Sequence, residues 1–417
     1  MKILFATSSF RGGGITSYAK EVISYYSQGN DFSVMIGDDS VSPIKTPNVK
    51  IYRYECRDLS VKNAKAVIDI INNEIKPEVI LSNNARIISL VSKYLNDEIK
   101  VITISHSIRY QEADMAAISY HYIDKLIAAS SIYNKKYLEK RFHVDGNKID
   151  IILNFVAEVD YANVLREKKK SRKPDEPCLI VFPGGASSSK SPDIVLRVVL
   201  ELVKTNLNFR IVWNGRTEIT SKKLSFLHVE NIKDFVNDPR VEFPGRLPAR
   251  EDAVRLISSA NIFLAPSRRE ACPMALLEAM RVGTIPLVSD FDVANKLIVK
   301  DGVNGYVIAH DDIDSWVRRI KDIVENPSKY NDIYDNSYKT FLEDHSYSVW
   351  RNNMDKALYG CSLNHLERKR LSVIDLVLRK IYFSFDLLRC TIEMRFNEGV
   401  KVVYAFMKIK RQYRIKS

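Results

Sequence analysis

Short apolar runs with strand character alternate with amphipathic helical stretches along most of the 417-residue chain. The first part contains KILFAT, FSVMIG, VILSN, KVITIS, KLIAAS and KIDIIL, and the second part contains CLIVFPGG, FRIVWNG, RVEFPG, NIFLAP and TIPLVSD. Parallel strands need long crossover connections, so this rhythm predicts mostly parallel sheets covered by helices on both faces. The chain is too long for a single small core. We therefore predict an α/β protein with two doubly wound, Rossmann-like domains that face a central cleft.

A charged stretch with two prolines separates the two strand series. It covers residues 166–177 and reads REKKKSRKPDEP. Charge and proline are typical of exposed connections that carry no regular structure. We therefore predict a linker at 166–177, with a first domain at 1–165 and a second at 178–345.

The C-terminal part, residues 361–417, is strongly basic. It contains 13 Lys and Arg against 5 Asp and Glu, and so contributes most of the net charge of +12. Five polar residues recur there at nearly helical spacing, while the remaining circumference is broadly apolar; they are Asp375, Arg379, Asp386, Arg389 and Glu393. An apolar helix with basic flanks favours an anionic membrane surface over nucleic acid. The alternative is a helix that packs its wide apolar face on another subunit.

Two glutamates lie eight positions apart in SRREACPMALLEAM, on either side of Pro273. On one continuous helix, Glu278 would be turned by roughly 80° from Glu270 and displaced by about 12 Å. Both reach one small ligand more easily if the helix begins between them. Pro273 suits a first helical position, because its missing N–H is not needed there. We therefore predict a loop that carries Glu270 and a helix that carries Glu278 on an early turn.

This arrangement fits a nucleotide-sugar. The free N–H groups of Met274 and Ala275, at the positive end of the helix dipole, favour a phosphate. Glu270 is placed to accept hydrogen bonds from sugar hydroxyls, and Glu278 from a ribose diol. Glu278 also lies within the apolar stretch MALLEAM, where a buried carboxylate is unfavourable without partners.

Residues 265–290, APSRREACPMALLEAMRVGTIPLVSD, followed by KDGVNGYVI, resemble the signature of retaining GT-B glycosyltransferases of the family 4 type. Weaker matches occur in chain order: RGGGIT, SHS, AASSIYNKKYL, ILNFV and FPGR. The segment YSVWRNNMDKALY is similar to the last helix of that family, which implies a helix at 346–360 that crosses back to the first domain. The resemblance further implies that residues 1–165 form the acceptor side and 178–345 bind the nucleotide-sugar.

The resemblance implies a role for individual residues. Glu270 and His106 would be catalytic, although His106 also fits a core histidine at the end of a buried strand. The implied donor-binding residues are Gly13, Gly14, Lys190, Arg246, Ala271, Cys272, Pro273, Met274, Ala275 and Glu278. The family often has an arginine shortly before the position of Lys190, which this chain lacks. Arg246, another cation or backbone N–H groups of the glycine–serine loop are the candidate substitutes.

The resemblance implies retaining transfer of a sugar from a nucleotide-diphosphate donor, by family frequency a UDP-sugar, to a lipid-linked, lipopolysaccharide-type or capsule-type glycan. The resemblance implies no metal and no cofactor besides the nucleotide-sugar co-substrate. No run of 18 apolar residues and no signal-like start occur in the sequence. We therefore expect a cytoplasmic protein attached to the inner face of the cell membrane.

Two other functions remain open at this point: a sugar-nucleotide epimerase of the same fold, and an inactive glycosyltransferase-like scaffold protein. A dinucleotide-binding oxidoreductase is disfavoured, because RGGGITSYA does not form the GxGxxG fingerprint.

Overall fold

The computed structural model contains two parallel sheets, each in its own compact unit. The first unit comprises Met1–Asn154 and the described residues of Trp350–Ile392, and the second comprises Phe155–Val349. The prediction of two doubly wound α/β domains is confirmed. The structure describes residues 1–8, 10, 14–37, 48–55, 60–106, 110–130, 132–218, 231–270, 273–291, 293–369, 372–381 and 384.

The first unit is built on a seven-stranded sheet. Its strands are β1 (Lys2–Thr7), β2 (Asp31–Ile36), β3 (Lys50–Arg53), β4 (Val79–Asn83), β5 (Lys100–Ser105), β6 (Lys125–Ala128) and β7 (Ile149–Ile151), and its helices are α1 (Gly14–Tyr26), α2 (Val61–Asp69), α3 (Arg86–Val91), α4 (Tyr110–Ala117) and α5 (Ile132–Phe142). The strand order is β3-β2-β1-β4-β5-β6-β7. The order reverses between β1 and β4, and ligands of such sheets bind beyond the strand ends at that position.

The second unit is built on a six-stranded sheet. Its elements are α6 (Ala162–Lys170), β8 (Cys178–Phe182), α7 (Pro192–Leu202), β9 (Phe209–Asn214), β10 (Val241–Gly245), α8 (Arg250–Ser259), β11 (Ile262–Ala265), α9 (Met274–Met280), β12 (Ile285–Ser289), α10 (Val293–Ile298), β13 (Tyr306–Ile308), α11 (Ile313–Glu325), α12 (Asn331–Asp344) and the start of α13 (Tyr347–Tyr359). The strand order is β10-β9-β8-β11-β12-β13. Strands β8 and β11 pair directly, so the loops that follow them are neighbours at one edge of the sheet.

The predicted linker at 166–177 is wrong in position. Residues up to Lys170 belong to α6, and the chain passes from the first unit to the second at Phe155. Lys169 is buried and donates to the carbonyl of Val282 at 3.1 Å and the hydroxyl of Thr284 at 2.7 Å. Arg172 donates to the carbonyls at the end of α11. The basic run is therefore hydrogen-bonded into the second unit, where main-chain oxygens satisfy the buried cations.

Helix α13 packs on α1 of the first unit from Trp350 onward. The hydroxyls of Tyr25 and Tyr26 donate to the carboxylate of Asp355 at 2.7 and 2.9 Å. The rings of Tyr18 and Trp350 meet edge to face, with centroids 5.7 Å apart. Aromatic contacts of this kind fix the direction of the helix on the unit.

The C-terminal segment is anchored on the first unit by a buried carboxylate. Asp124 accepts hydrogen bonds from the N–H of Asn364 and the Nδ1 of His365, both at 2.6 Å. Arg368 is also buried and donates to the carbonyls of Ile99 and Tyr122 at 2.8 and 3.3 Å. This part of the predicted tail is thus a structural element of the first unit.

Residues 373–381 form the tail helix, which turns its polar side and the buried Leu376 toward the first unit. Asp375 pairs with Lys93 at 2.6 Å and accepts from the hydroxyl of Tyr94, and Arg379 donates to the hydroxyl of Ser119. The opposite side is apolar and exposed; it consists of Val373, Ile374, Val377, Leu378 and Ile381. The predicted polar positions Asp386, Arg389 and Glu393 lie outside the described residues. Among the described residues, no helix has the length and apolarity needed to cross a membrane.

Candidate active site

Glu270 and Lys190 form an ion pair at the carboxyl ends of two neighbouring strands. Glu270 follows β11, and Lys190 precedes α7 in the connection from β8. Lys190 Nζ lies 2.5 Å from Glu270 Oε1, and the hydroxyl of Ser267 donates to the same oxygen at 2.7 Å. The glutamate is largely buried, whereas the lysine is about one-third exposed. A carboxylate and a cation are therefore held side by side at the edge where α/β proteins bind their ligands.

A second ion pair ties the same two loops together. Arg268 donates through both terminal nitrogens to the carboxylate oxygens of Asp193, at 2.8 and 2.7 Å. Asp193 lies in the first turn of α7 and is fully buried. The N–H of Arg268 also donates to the carbonyl of Ser189 at 2.9 Å. This bidentate pair fixes the loop that carries Glu270 relative to the loop that carries Lys190.

We expect Asp193→Ala to lower the free energy of unfolding by about 3 kcal/mol, because it leaves the Arg268 guanidinium largely buried without its partner. Urea unfolding followed by tryptophan fluorescence measures this change. The control is Glu325→Ala, which removes the exposed ion pair with Lys321 and should change stability by less than about 1 kcal/mol. Equal effects of the two variants would contradict the structural role of the Asp193–Arg268 pair.

The residue after Lys190 has an unusual backbone. Ser191 has a φ of 53°, in the left-handed region that glycine adopts most easily. It is fully buried, and its hydroxyl lies 3.0 Å from the Nε2 of His310. Burial, with a further contribution from nearby Arg268, lowers the pKa of His310. The neutral imidazole thus retains an uncharged hydrogen bond that holds Ser191, and with it the end of the Lys190 loop.

The glycines of the β8 connection have a packing role. A Cβ on Gly215 would lie 2.6 Å from the carbonyl carbon of Gly184, and one on Gly185 would lie 3.2 Å from the carbonyl oxygen of Arg216. The N–H of Ala186 donates to that same oxygen at 2.8 Å. The loops after β8 and β9 therefore cross in close backbone contact, which larger residues would prevent.

Glu278 is buried inside α9 and forms an ion pair with Arg250, the first residue of α8. Burial raises the pKa of Glu278, while Arg250 and Arg281 oppose that rise. The prediction that Glu278 lies on an early helical turn agrees with the bounds of α9. The prediction that Pro273 is the first helical residue is wrong by one position. It is the residue before the helix, with an extended ψ of 105°, and Met274 is the first helical residue.

The remaining donor-binding predictions divide into three groups. Met274 and Ala275 form the start of α9, where N–H groups have no acceptor within the helix. Gly14 begins α1 directly after the β1 connection, and Arg246 is exposed directly after β10. Gly13, Ala271 and Cys272 lie outside the described residues.

His106 follows β5 at the carboxyl end of the first sheet. Its side chain is buried, and Nε2 lies 2.5 Å from the Oδ1 of Asn83 at the end of β4. The ring of Tyr18 meets it edge to face at 4.6 Å. Burial lowers the pKa of His106 to about 4, so the imidazole is neutral at pH 7. The structure therefore shows a fixed, uncharged histidine at the switch-point end of the sheet.

Residues 163–340 match the family model for glycosyl transferases group 1, a range that contains Lys190, Glu270 and Glu278. HepE from Anabaena, solved in complex with UDP-glucose, superposes on the chain with a TM-score of 0.67 at 14% identity, over 86% of this chain and 100% of HepE. The lipopolysaccharide outer core galactosyltransferase WaaB superposes with a TM-score of 0.65 at 17% identity, over 86% of this chain and 99% of WaaB. These likenesses define a GT-B fold. Within residues 163–340, the chain is similar to the glycosyl transferases group 1 family.

Curated relatives match at low identity. A glycosyltransferase of Haemophilus influenzae is 27% identical over 187 residues, which is 44% of this chain but only 50% of that protein. The UDP-Gal:alpha-D-GlcNAc-diphosphoundecaprenol alpha-1,3-galactosyltransferase of Escherichia coli is 22% identical over 312 residues, covering 69% of this chain and 76% of that protein.

Sequence reasoning missed several residues that shape the site. Ser267 appeared only as part of a motif, yet its hydroxyl binds Glu270. Arg250 and Asp193 lie 28 and 75 positions from their ion-pair partners, so no local pattern could connect them. Asn83 ends a buried strand like many other residues, and only the pairing of β4 with β5 brings it to His106.

Proposed function

We propose that the chain is a retaining, metal-independent glycosyltransferase that moves a sugar from a nucleotide-diphosphate donor to a glycan acceptor. The observation that carries this proposal is the Lys190–Glu270 pair at the carboxyl edge of the second sheet. It lies inside the region that matches the glycosyl transferases group 1 family. A carboxylate suits the hydroxyls of a sugar, and an adjacent ammonium suits the phosphate to which that sugar is attached.

In this proposal, donor binding separates the ion pair. Glu270 accepts hydrogen bonds from the hydroxyls of the donor sugar, while Lys190 turns to the diphosphate and neutralises the charge that develops on the leaving group. Glu278 accepts from the ribose diol, and the backbone around Pro273, Met274 and Ala275 contacts the sugar and diphosphate. His106 is the second proposed catalytic residue, and its imidazole is a neutral hydrogen-bonding group at pH 7.

The proposed donor is a UDP-sugar, and the proposed acceptor is a lipid-linked or lipopolysaccharide-type glycan. HepE was solved with UDP-glucose, and the Escherichia coli relative is named for a UDP-Gal donor and a diphosphoundecaprenol-linked acceptor. A relative from Rhizobium leguminosarum, 28% identical over 148 residues, is a lipopolysaccharide core mannosyltransferase. These names support a sugar transferred to a membrane-borne glycan.

A panel of nucleotide-sugars tests the activity. The purified full-length chain is incubated with UDP-glucose, UDP-galactose, UDP-N-acetylglucosamine and GDP-mannose, with and without lipid-linked glycan extracts. We expect acceptor-dependent release of free nucleotide that EDTA does not reduce. Conversion of a donor into its epimer without nucleotide release would identify an epimerase instead. Donor binding without any turnover would favour the inactive scaffold protein, and a strict metal requirement would overturn metal independence.

We further propose that the chain works at the cytoplasmic face of the cell membrane, attached through its C-terminal tail. The tail helix turns its polar side to the first unit and leaves its apolar side exposed. Residues 361–417 carry 13 basic and 5 acidic side chains, which suits an anionic lipid surface. A membrane-borne acceptor would be reached from such a position.

A further inference from the structure

The ion pair between Arg250 and Glu278 joins a buried group to an accessible one. The side chain of Glu278 is 4% exposed, whereas that of Arg250 is 51% exposed. Arg250 begins α8 and reaches across to α9 to bind Oε1 of the carboxylate. The exposed member of this ion pair is therefore Arg250, whose guanidinium contacts Glu278 from the solvent side.

Arg250 is the cation that directly contacts the glutamate. Arg281, on the turn after α9, also acts on Glu278 through its charge. One terminal nitrogen of Arg281 is committed to the carbonyl of Ala157 at 3.0 Å. A buried carboxylate needs a compensating partner, and within the described residues Arg250 supplies the hydrogen-bonded one.

We propose that Arg250 is a positioning residue for the donor nucleotide: by binding one oxygen of Glu278, it keeps the other oxygen available to accept the ribose hydroxyls. This inference rests on the proposed function, in which Glu278 binds ribose. Its effect is expected on donor affinity, because a ribose contact is made equally in the ground state and the transition state.

Loss of Arg250 should also change how donor affinity depends on pH. Within the described residues, the charged and titratable groups that act on Glu278 are Arg250 of α8, Arg281 after α9 and, through its interaction with Arg281, Tyr161 before α6. Burial raises the pKa of Glu278, and the charge of Arg250 lowers it. Without Arg250, the effect of burial is less compensated, so the pKa of Glu278 rises further. Below that raised pKa the carboxyl group is protonated and accepts fewer hydrogen bonds. Donor affinity of an Arg250 variant should therefore fall as the pH falls.

Calorimetric titration with UDP tests this inference on the full-length chain. We expect Arg250→Ala to raise the Kd for UDP about tenfold near pH 6 and by less than about threefold near pH 8. Arg250→Lys keeps a cation and should restore most of the affinity. The control Arg255→Ala removes an exposed arginine from the same helix and should behave like the unaltered chain at both pH values.

A double variant, Arg250→Ala with Glu278→Gln, distinguishes a loss of ribose binding from a general effect on folding. It contains no unpaired buried carboxylate, and we expect it to bind UDP weakly and without pH dependence. If Arg250→Ala and Arg255→Ala bind UDP equally at both pH values, the role of Arg250 is overturned while the proposed function stands. If the unaltered chain binds neither UDP nor a UDP-sugar, the proposed donor itself is overturned, and the inference fails with it.

Discussion

We expect Glu270→Ala to abolish sugar transfer, lowering kcat by about 10³-fold or more, while the chain stays folded. The carboxylate is the acceptor that would hold the hydroxyls of the donor sugar, and it sets the position of Lys190 at 2.5 Å. Without it, the cation is free to bind the diphosphate, but the sugar loses its fixed orientation toward the acceptor. Acceptor-dependent nucleotide release, measured at saturating donor, reports the change.

Two further variants sharpen this test. Glu270→Gln keeps an oxygen that can accept from Ser267 but removes the charge, so a loss as large as that of the alanine variant would show that the charge is needed. The control Glu242→Ala removes an ion-paired glutamate of the same unit, which binds Arg210 on neighbouring β9. Turnover of Glu270→Ala within threefold of the Glu242→Ala rate would remove Glu270 from the mechanism.

The strands of both sheets were predictable because most of them are buried and apolar. Every apolar run quoted from the sequence coincides with a strand of the structure. The sequence alone predicted no separate strand at β3 or β13, which are edge strands of the first and the second sheet, respectively. β3 has four residues that are partly or fully exposed, and β13 has three residues, so neither presents a run of buried side chains. Edge strands of this kind lack the pattern on which strand prediction depends.

Charge was the least reliable guide in the sequence. The run REKKKSRKPDEP looked like a solvated linker, but Lys169 and Arg172 are buried; Lys169 donates to the carbonyl of Val282 and the hydroxyl of Thr284, and Arg172 donates to main-chain carbonyls. The sequence does not reveal such pairing, because several of the acceptors, on Val282, Thr284, Ile323 and Val324, lie far along the chain. Of the five predicted polar positions of the tail helix, Asp375 and Arg379 are described, and only the structure shows that they face the first unit.

The sequence indicated candidate site residues, but it did not indicate which side chains they contact. Glu270 and Glu278 were selected from a local motif, and Lys190 was selected from the family resemblance. Their partners depend on the sheet order, since β8 and β11 become neighbours only through long crossover connections. The bond between Lys190 and Glu270 is a consequence of that pairing, which a single sequence does not specify.

We expect the double variant Ile374→Glu with Leu378→Glu to weaken binding to anionic membranes by at least about 100-fold. These side chains are 75% and 60% exposed on the outer side of the tail helix. Burial of one such side chain in an apolar phase contributes about 2 kcal/mol, and the introduced carboxylates are repelled by anionic lipids. Co-sedimentation with vesicles of phosphatidylethanolamine and phosphatidylglycerol measures the bound fraction.

The contacts between the start of the tail and the first unit limit which truncation can serve as a control. Deleting residues 361–417 would strip buried Asp124 of the partners that Asn364 and His365 supply, so it would confound attachment with stability. Truncation after residue 384 avoids this, and it should make the remaining binding weaker and less sensitive to salt, because basic residues are lost. The matched control Val164→Glu with Leu342→Glu places the same charges on exposed apolar positions of the second unit. If that control loses binding as fully as the tail variant, or if the unaltered chain does not bind vesicles, attachment through the tail helix is refuted.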